Sequence, residues 1–107
     1  MLESEAARKL RRLWDEIRHS PFPAAANEEP EVQELALYES WLGSIVEAVL
    51  AEGGELAPAH ARLLEVRREE GNRPLWQAAG ELGDTGRAYV ARLLAIEDLL
   101  GKLPLRH

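Results

Sequence analysis

The sequence predicts an all-α protein, a single helical bundle of four main helices plus one short helix. Three observations support this prediction: the composition, a helical spacing of apolar residues, and prolines and glycines at the segment ends. Leu and Ala supply 18 and 16 of the 107 residues, whereas Val, Ile and Thr together supply 9. Leu and Ala favour helices, and β-branched residues favour strands. At 46% apolar residues the chain can bury a core, so we predict one domain over residues 1–107.

The first predicted helix runs from about Ser4 to Arg18. Its apolar residues recur at the spacing of one helical face, and they are Ala6, Leu10, Leu13, Trp14 and Ile17. Serine is a preferred N-cap residue, because its side chain accepts from a backbone amide of the first turn. Pro21 and Pro23 cannot continue a helix. We therefore predict a Pro-rich connector over residues 19–29, and we expect Trp14 in the core.

The second predicted helix is the long one, from Asn27 or Glu29 to about Glu52. Pro30 is allowed in its first turn, and Gly53 with its neighbouring glycine ends it. At about 100° per residue, the apolar side chains of this helix fill more than half of its circumference. That arc is too wide for a helix with one neighbour. The helix is therefore either the central one of the bundle, or it covers a second flank against another chain.

The third predicted helix covers residues 58–70, where Pro58 fits the first turn and a glycine follows the last residue. A short fourth helix follows over residues 72–82. The run over residues 80–86 holds three glycines in seven positions and predicts a turn. The segment over residues 72–82, which ends at this turn, is the short helix of the predicted bundle.

Asp84 or Thr85 is expected to cap the last helix, which continues to about Leu100. One face of this helix carries Tyr89, Leu93, Ile96 and Leu100. Gly101 and Pro104 then end the helical pattern. We predict that residues 101–107 form a mobile tail, because chain ends without a packed apolar face are poorly ordered.

The cysteine content and the hydropathy of the sequence indicate the cellular compartment of the protein. There is no cysteine, which excludes disulfides and thiolate metal sites. The N-terminal residues are charged from the third position and lack the apolar core of a signal peptide. No run approaches the ~18 apolar residues of a membrane span. We therefore expect a cytoplasmic protein with no membrane partner.

Charge is distributed unevenly along the chain. Residues 1–18 carry a net charge of +1, residues 19–61 carry -8 and residues 62–107 carry +1, so the total of -6 belongs to the middle segment. This 43-residue segment contains no Lys or Arg. It is either a contact surface for a basic partner or a nucleic-acid mimic, or it is an ordinary solvated face. The basic residues elsewhere are interleaved with acids, so we predict no nucleic-acid partner.

The wide apolar arc of the second helix predicts a partner interface. The residues predicted to form this interface are Leu37, Tyr38, Trp41, Ala48 and Glu34. Glu34 and Glu39 fall among apolar residues on the helical wheel. Such carboxylates need a partner, either a ligand or an arginine of a second subunit, unless both reach water at the edge of the arc. The resulting hypothesis is a protein that acts by protein–protein interaction, as a homodimer or as a small subunit of an assembly.

An enzymatic alternative follows from two carboxylate pairs. Glu81 and Asp84 form an E-x-x-D spacing, and Glu31 and Glu34 form an E-x-x-E spacing. The segment over residues 80–84, which contains Glu81 and Asp84, resembles the E-x-x-D half of the motif of MazG-type nucleotide pyrophosphohydrolases, which are all-helical. The resemblance implies Mg²⁺ held by these four carboxylates and hydrolysis of a nucleoside triphosphate. No other catalytic, metal-ligating or cofactor-binding motif stands in the sequence, and we predict no cofactor.

Overall fold

The computed structural model describes residues 4–20 and 30–106, and within them it leaves the side chains of residues 30–32 and 81 undescribed. Residues 21–29 of the predicted connector lie outside this description. The helices are α1 (Glu5–His19), α2 (Pro30–Ala51), α3 (Pro58–Glu70) and α4 (Arg73–Leu100). The described residues contain no β-strand beyond one isolated bridge. The all-α prediction is confirmed.

Helix α1 begins where the sequence predicts it. The Ser4 hydroxyl accepts a hydrogen bond from the Ala7 amide at 3.1 Å, which satisfies one donor of the first turn. The last turn carries Arg18 and His19, basic residues that favour a helix C-terminus. The buried face consists of Ala7, Leu10, Trp14 and Ile17. This single apolar face makes α1 an outer helix of the bundle.

Part of the wide apolar arc of helix α2 is covered by other helices of the same chain. The helix packs most extensively against α4 and also contacts α1. Its buried residues are Leu35, Tyr38, Leu42, Ile45, Val46 and Val49. One flank stays open, since 71% of Leu37 is exposed. The arc is therefore only partly covered within the chain.

A glycine in α2 allows α1 to approach closely. The Trp14 indole lies against Gly43, where an added Cβ atom would stand 2.7 Å from the ring atoms Cη2 and Cζ2. Trp14 itself is 8% exposed, as expected for a core residue. At the end of α2, Gly54 has a φ of +98°, and a Cβ there would stand 2.7 Å from the Cβ of Ala7. Both contacts require a residue without a side chain.

Helix α4 is broken at one residue, where the sequence predicts a turn over residues 80–86. Gly83 has φ 74° and ψ -157°, values outside the helical region. Gly80 and Gly86 remain helical. Glycine is tolerated within a helix at a cost of about 1 kcal/mol, so a single non-helical residue is enough to break the helix here. The break divides α4 into the short and the last helix of the predicted bundle. Asp84, the expected cap, accepts a hydrogen bond from the Arg87 guanidinium at 2.9 Å.

Residues 103–106 pack against the rest of the chain, whereas the sequence predicts a mobile tail over residues 101–107. Residue 107 lies outside the described residues. Leu103 is 5% exposed. The Leu56 amide donates to the Pro104 carbonyl at 2.9 Å, and the Arg106 amide donates to the Leu56 carbonyl at 2.8 Å. The linker between α2 and α3 thus offers backbone groups that residues 104–106 satisfy. Backbone hydrogen bonds between such distant residues cannot be predicted from the helical spacing of apolar residues.

We predict that Gly43→Ala destabilises the protein by about 1 to 3 kcal/mol, because the added methyl group overlaps the Trp14 ring and the core must shift. The matched control is Gly80→Ala in α4, where a Cβ meets nothing within 4 Å. That control is expected to be neutral or to stabilise by up to about 1 kcal/mol. Urea unfolding measures both. Equal free energies of unfolding for the two variants would contradict the close approach at Gly43.

Candidate functional site

Four of the five predicted interface residues line one groove of about 360 Å³ between α2, α3 and the start of α4. We call it the α2–α3 groove. From α2 it is lined by Glu34, Leu37, Tyr38 and Trp41. From the rest of the chain it is lined by Leu63, Val66, Arg67, Glu70, Gly71, Pro74 and Leu75. The open flank of α2 therefore continues onto α3.

The walls of the groove are apolar side chains that remain in contact with water. Leu63 is 46% exposed and Val66 is 45% exposed, and both line the groove together with the more exposed Leu37 of α2. Leu37 and Trp41 are four residues apart on α2, and Leu63 and Val66 are three apart on α3, so each pair forms a ridge on one helical face. The Trp41 and Tyr38 rings lie 6.0 Å apart between centroids. The groove is a furrow between two apolar ridges.

The sequence groups Ala48 with these residues, but the structure does not place it in the groove. Ala48 is half-buried and lies about two turns beyond Trp41 along α2. Glu39, the second carboxylate singled out on the helical wheel, accepts a hydrogen bond from the Tyr89 hydroxyl of α4. Burial raises the pKa of that phenol, and the Glu39 carboxylate adds to the rise. Glu39 thus has a partner within its own chain.

A buried carboxylate that sequence reasoning missed lies beneath the groove. Glu97 of α4 is 6% exposed. Its Oε1 accepts a hydrogen bond from the Tyr38 hydroxyl at 2.9 Å. The Nε of Arg67 lies 3.6 Å from the same oxygen. A signal was present in the sequence, because Glu97 stands four residues after Leu93 on the buried face of the last helix.

The Arg67 guanidinium is held by several groups of its own chain. It lies 4.9 Å from the centroid of the Tyr38 ring, a cation–π distance. Its Nη1 donates to the Gly71 carbonyl at 2.8 Å, and its Nη2 donates to the Asn72 Oδ1 at 2.8 Å. Together with the ion pair to Glu97, these contacts give each of the three guanidinium nitrogens of Arg67 a partner in its own chain. The side chain is 11% exposed and is committed to the fold.

The accessible charge of the groove is negative. Glu34 and Glu70 line it and are exposed. Arg67 is the one basic residue among the lining residues that the structure describes, and its charge is paired with Glu97. The groove therefore combines apolar walls with two carboxylates at its edge. Such a surface suits a chain with apolar and basic side chains.

The carboxylates of the enzymatic alternative are not brought together by any described contact. Glu34 lines the groove on α2, while Asp84 lies beside the break in α4 and pairs with Arg87. The side chains of Glu31 and Glu81 lie outside the described residues. Within the described part of the chain, no group of three or more His, Asp or Glu side chains has the arrangement of a metal site. No contact among the residues that the structure describes favours the pyrophosphohydrolase hypothesis.

Comparisons with protein-family models, with curated proteins and with solved structures gave no match. None of the helices in the described ranges combines the length and the apolar character needed to cross a bilayer. The candidate site therefore rests on the geometry of the α2–α3 groove alone.

We predict that the free energy of unfolding falls as the pH rises above about 10, and that Tyr38→Phe reduces this fall. Burial raises the pKa of Tyr38 above its usual value, and the negative charge of Glu97 raises it further. Above pH 10 the unfolded chain loses the phenolic proton while the folded chain retains it, so the unfolded state gains stability. Urea unfolding at pH 8 to 11 measures the slope. An unchanged slope in the variant would contradict the buried Tyr38–Glu97 pair.

Proposed function

We propose that the protein works by protein–protein interaction and that the α2–α3 groove is its contact surface. One observation carries the proposal, the gathering of exposed Leu37, Leu63 and Val66 in a single furrow beside Trp41. Scattered apolar residues are normal on a protein surface, whereas a contiguous group of them is typical of an interaction site. The proposal places the protein among binding components and assigns it no catalytic step.

The residues of the groove are of the types that dominate binding energy. Trp41 and Tyr38 are aromatic, and aromatic side chains near the centre of an interface are frequent hot spots. Burying a fully exposed large aliphatic side chain contributes about 1.5 to 3 kcal/mol. The groove offers most of that for Leu37, and a little under half of it for Leu63 and Val66. Glu34 and Glu70 at the edge supply orientation and partner choice. Two forms of the interaction are open, a homodimer and a small subunit of a larger assembly.

The floor of the groove is fixed before any partner arrives. Tyr38 is 7% exposed and its hydroxyl is bonded to Glu97, while Arg67 is held against the Tyr38 ring. A surface whose side chains are already ordered loses less conformational entropy on binding. The groove is therefore suited to a partner that inserts apolar side chains between the two ridges.

Site-specific photocrosslinking tests this proposal. A photoreactive amino acid at position 37 or 63 is expected to give an adduct of discrete mass in the source cell, because these positions lie at the groove. The same amino acid at the exposed position 91 of α4 is the control and is expected to give none. An adduct of twice the chain mass indicates the homodimer, and another mass indicates an assembly partner. Absence of a discrete adduct at both groove positions would contradict the proposal.

A second variant separates loss of binding from loss of folding. Leu37→Glu in the presence of the crosslinker at position 63 is expected to abolish the adduct. Because Leu37 is 71% exposed, the substitution is expected to change the free energy of unfolding by no more than about 0.5 kcal/mol. An adduct that persists in this variant would place the contact surface elsewhere.

A further inference from the structure

We infer that the occupant of the α2–α3 groove is a short amphipathic helix of another protein, with Lys or Arg beside its apolar stripe. This inference rests on the proposed function and adds the secondary structure and the charge of the partner. Three features of the groove carry it: its furrow between two helices, its accessible negative charge, and the lack of a suitable helix on a second copy of this chain.

The shape of the furrow favours a helix as the occupant. The two apolar ridges belong to neighbouring helices, and ridges of a third helix pack into a groove of this kind. The α2 wall extends from Glu34 to Trp41, and the seven steps between these residues correspond to about 10 Å of helix axis. An occupant of two to three turns with apolar residues at i, i+3 or i+4, and i+7 matches this length.

The charge of the furrow favours a basic occupant. Glu34 and Glu70 are exposed at its edge, and the positive charge of Arg67 is paired with the buried Glu97. Helix α2 contains no Lys or Arg, so it adds no positive charge beside the groove. Opposite charge beside an apolar contact raises the association rate and selects among partners. Lys or Arg flanking the apolar stripe of the occupant would face these carboxylates.

A second copy of this chain is a poorer match for the same groove. Its own groove brings the same carboxylates, and the chain carries a net charge of -6. Its most basic helix is α1, with Arg8, Lys9, Arg11 and Arg12. The apolar face of α1 is already buried in the bundle through Leu10 and Trp14. The α3 helix of a copy does expose Leu63 and Val66, but it carries three Arg and three Glu and so has no net positive charge to match the groove.

Selection from a displayed library of helical peptides tests the inference on the full chain. The library carries apolar residues along one stripe and an equal mixture of Lys, Gln and Glu at the flanking positions. We expect the wild-type protein to enrich Lys at the flanking positions and to bind the selected peptides about tenfold more tightly than Gln-flanked versions. The double variant Glu34→Gln/Glu70→Gln is expected to lose this preference.

A matched control separates a local effect from the overall charge. Glu55→Gln/Glu65→Gln removes the same charge from two exposed residues that do not line the groove, and it is expected to retain the preference for Lys. Equal recovery of Gln-flanked and Lys-flanked peptides by the wild type would overturn the inference. So would a preference for Lys that the Glu34→Gln/Glu70→Gln variant keeps. Recovery of no groove-dependent peptide would overturn it as well.

The remaining outcomes distinguish failure of this inference from failure of the proposed function. If the wild type binds Lys-flanked and Gln-flanked peptides equally and Leu37→Glu abolishes both, the groove is a binding site but charge does not select its occupant. If light scattering finds a dimer that Leu37→Glu dissociates, the occupant is a second copy, which overturns the inference and keeps the proposed function. If Leu37→Glu affects no peptide and no adduct, the groove is not the contact surface and both proposals fail.

Discussion

The buried carboxylate of Glu97 is the constraint on which the arrangement of this protein depends. Charge at 6% exposure is tolerated only when partners satisfy it, and here the partners come from two other helices, Tyr38 of α2 and Arg67 of α3. Helix α3 itself buries only Leu64. Removing one member of a buried charge pair costs about 3 to 5 kcal/mol, far more than one apolar contact at the surface provides. This pairing therefore fixes where α3 lies against α2 and α4.

The same pairing gives the α2–α3 groove its chemical character. It holds the Tyr38 ring as a rigid floor, and it withdraws the one basic side chain among the described lining residues from the solvent-facing surface. The apolar ridges and the carboxylates of Glu34 and Glu70 remain accessible. The buried Arg67–Glu97 pair thus determines the charge that the α2–α3 groove presents to a partner. The proposed preference for a basic amphipathic helix follows from this separation of buried and exposed charge.

Local signals in the sequence predict most of the helices, because caps, prolines and glycines act within a few residues. The predicted bounds of the third helix coincide with α3 (Pro58–Glu70), and the predicted Ser4 cap is the cap of α1. The wheel of α2 also picks out Tyr38, Trp41 and Glu34, which the structure places in one groove. Long-range contacts are a different matter. The backbones of Pro104 and Arg106 form hydrogen bonds with Leu56, far away in the sequence. The helix of the glycine-rich run is broken only at Gly83. Both features depend on tertiary packing, which composition does not reveal.

Glu97 illustrates the limit of helical-wheel reasoning. Its position on the buried face is visible in the sequence, but its partners lie 59 residues away at Tyr38 and on a third helix at Arg67. Only the tertiary structure shows that the arginine belongs to the interior. A sequence reading that counts Arg67 as surface charge therefore misjudges the charge of the groove.

Chemical-shift mapping by NMR is the measurement that tests the central claim most directly. Isotope-labelled protein is titrated with a Lys-flanked amphipathic helix, and the methyl resonances are followed. We expect the methyl groups of Leu37, Leu63 and Val66 to shift together with the Trp41 indole, while those of the α1 face around Leu10 stay in place. Shifts that concentrate on α1 or on residues 103–106, with the groove resonances unchanged, would contradict this claim.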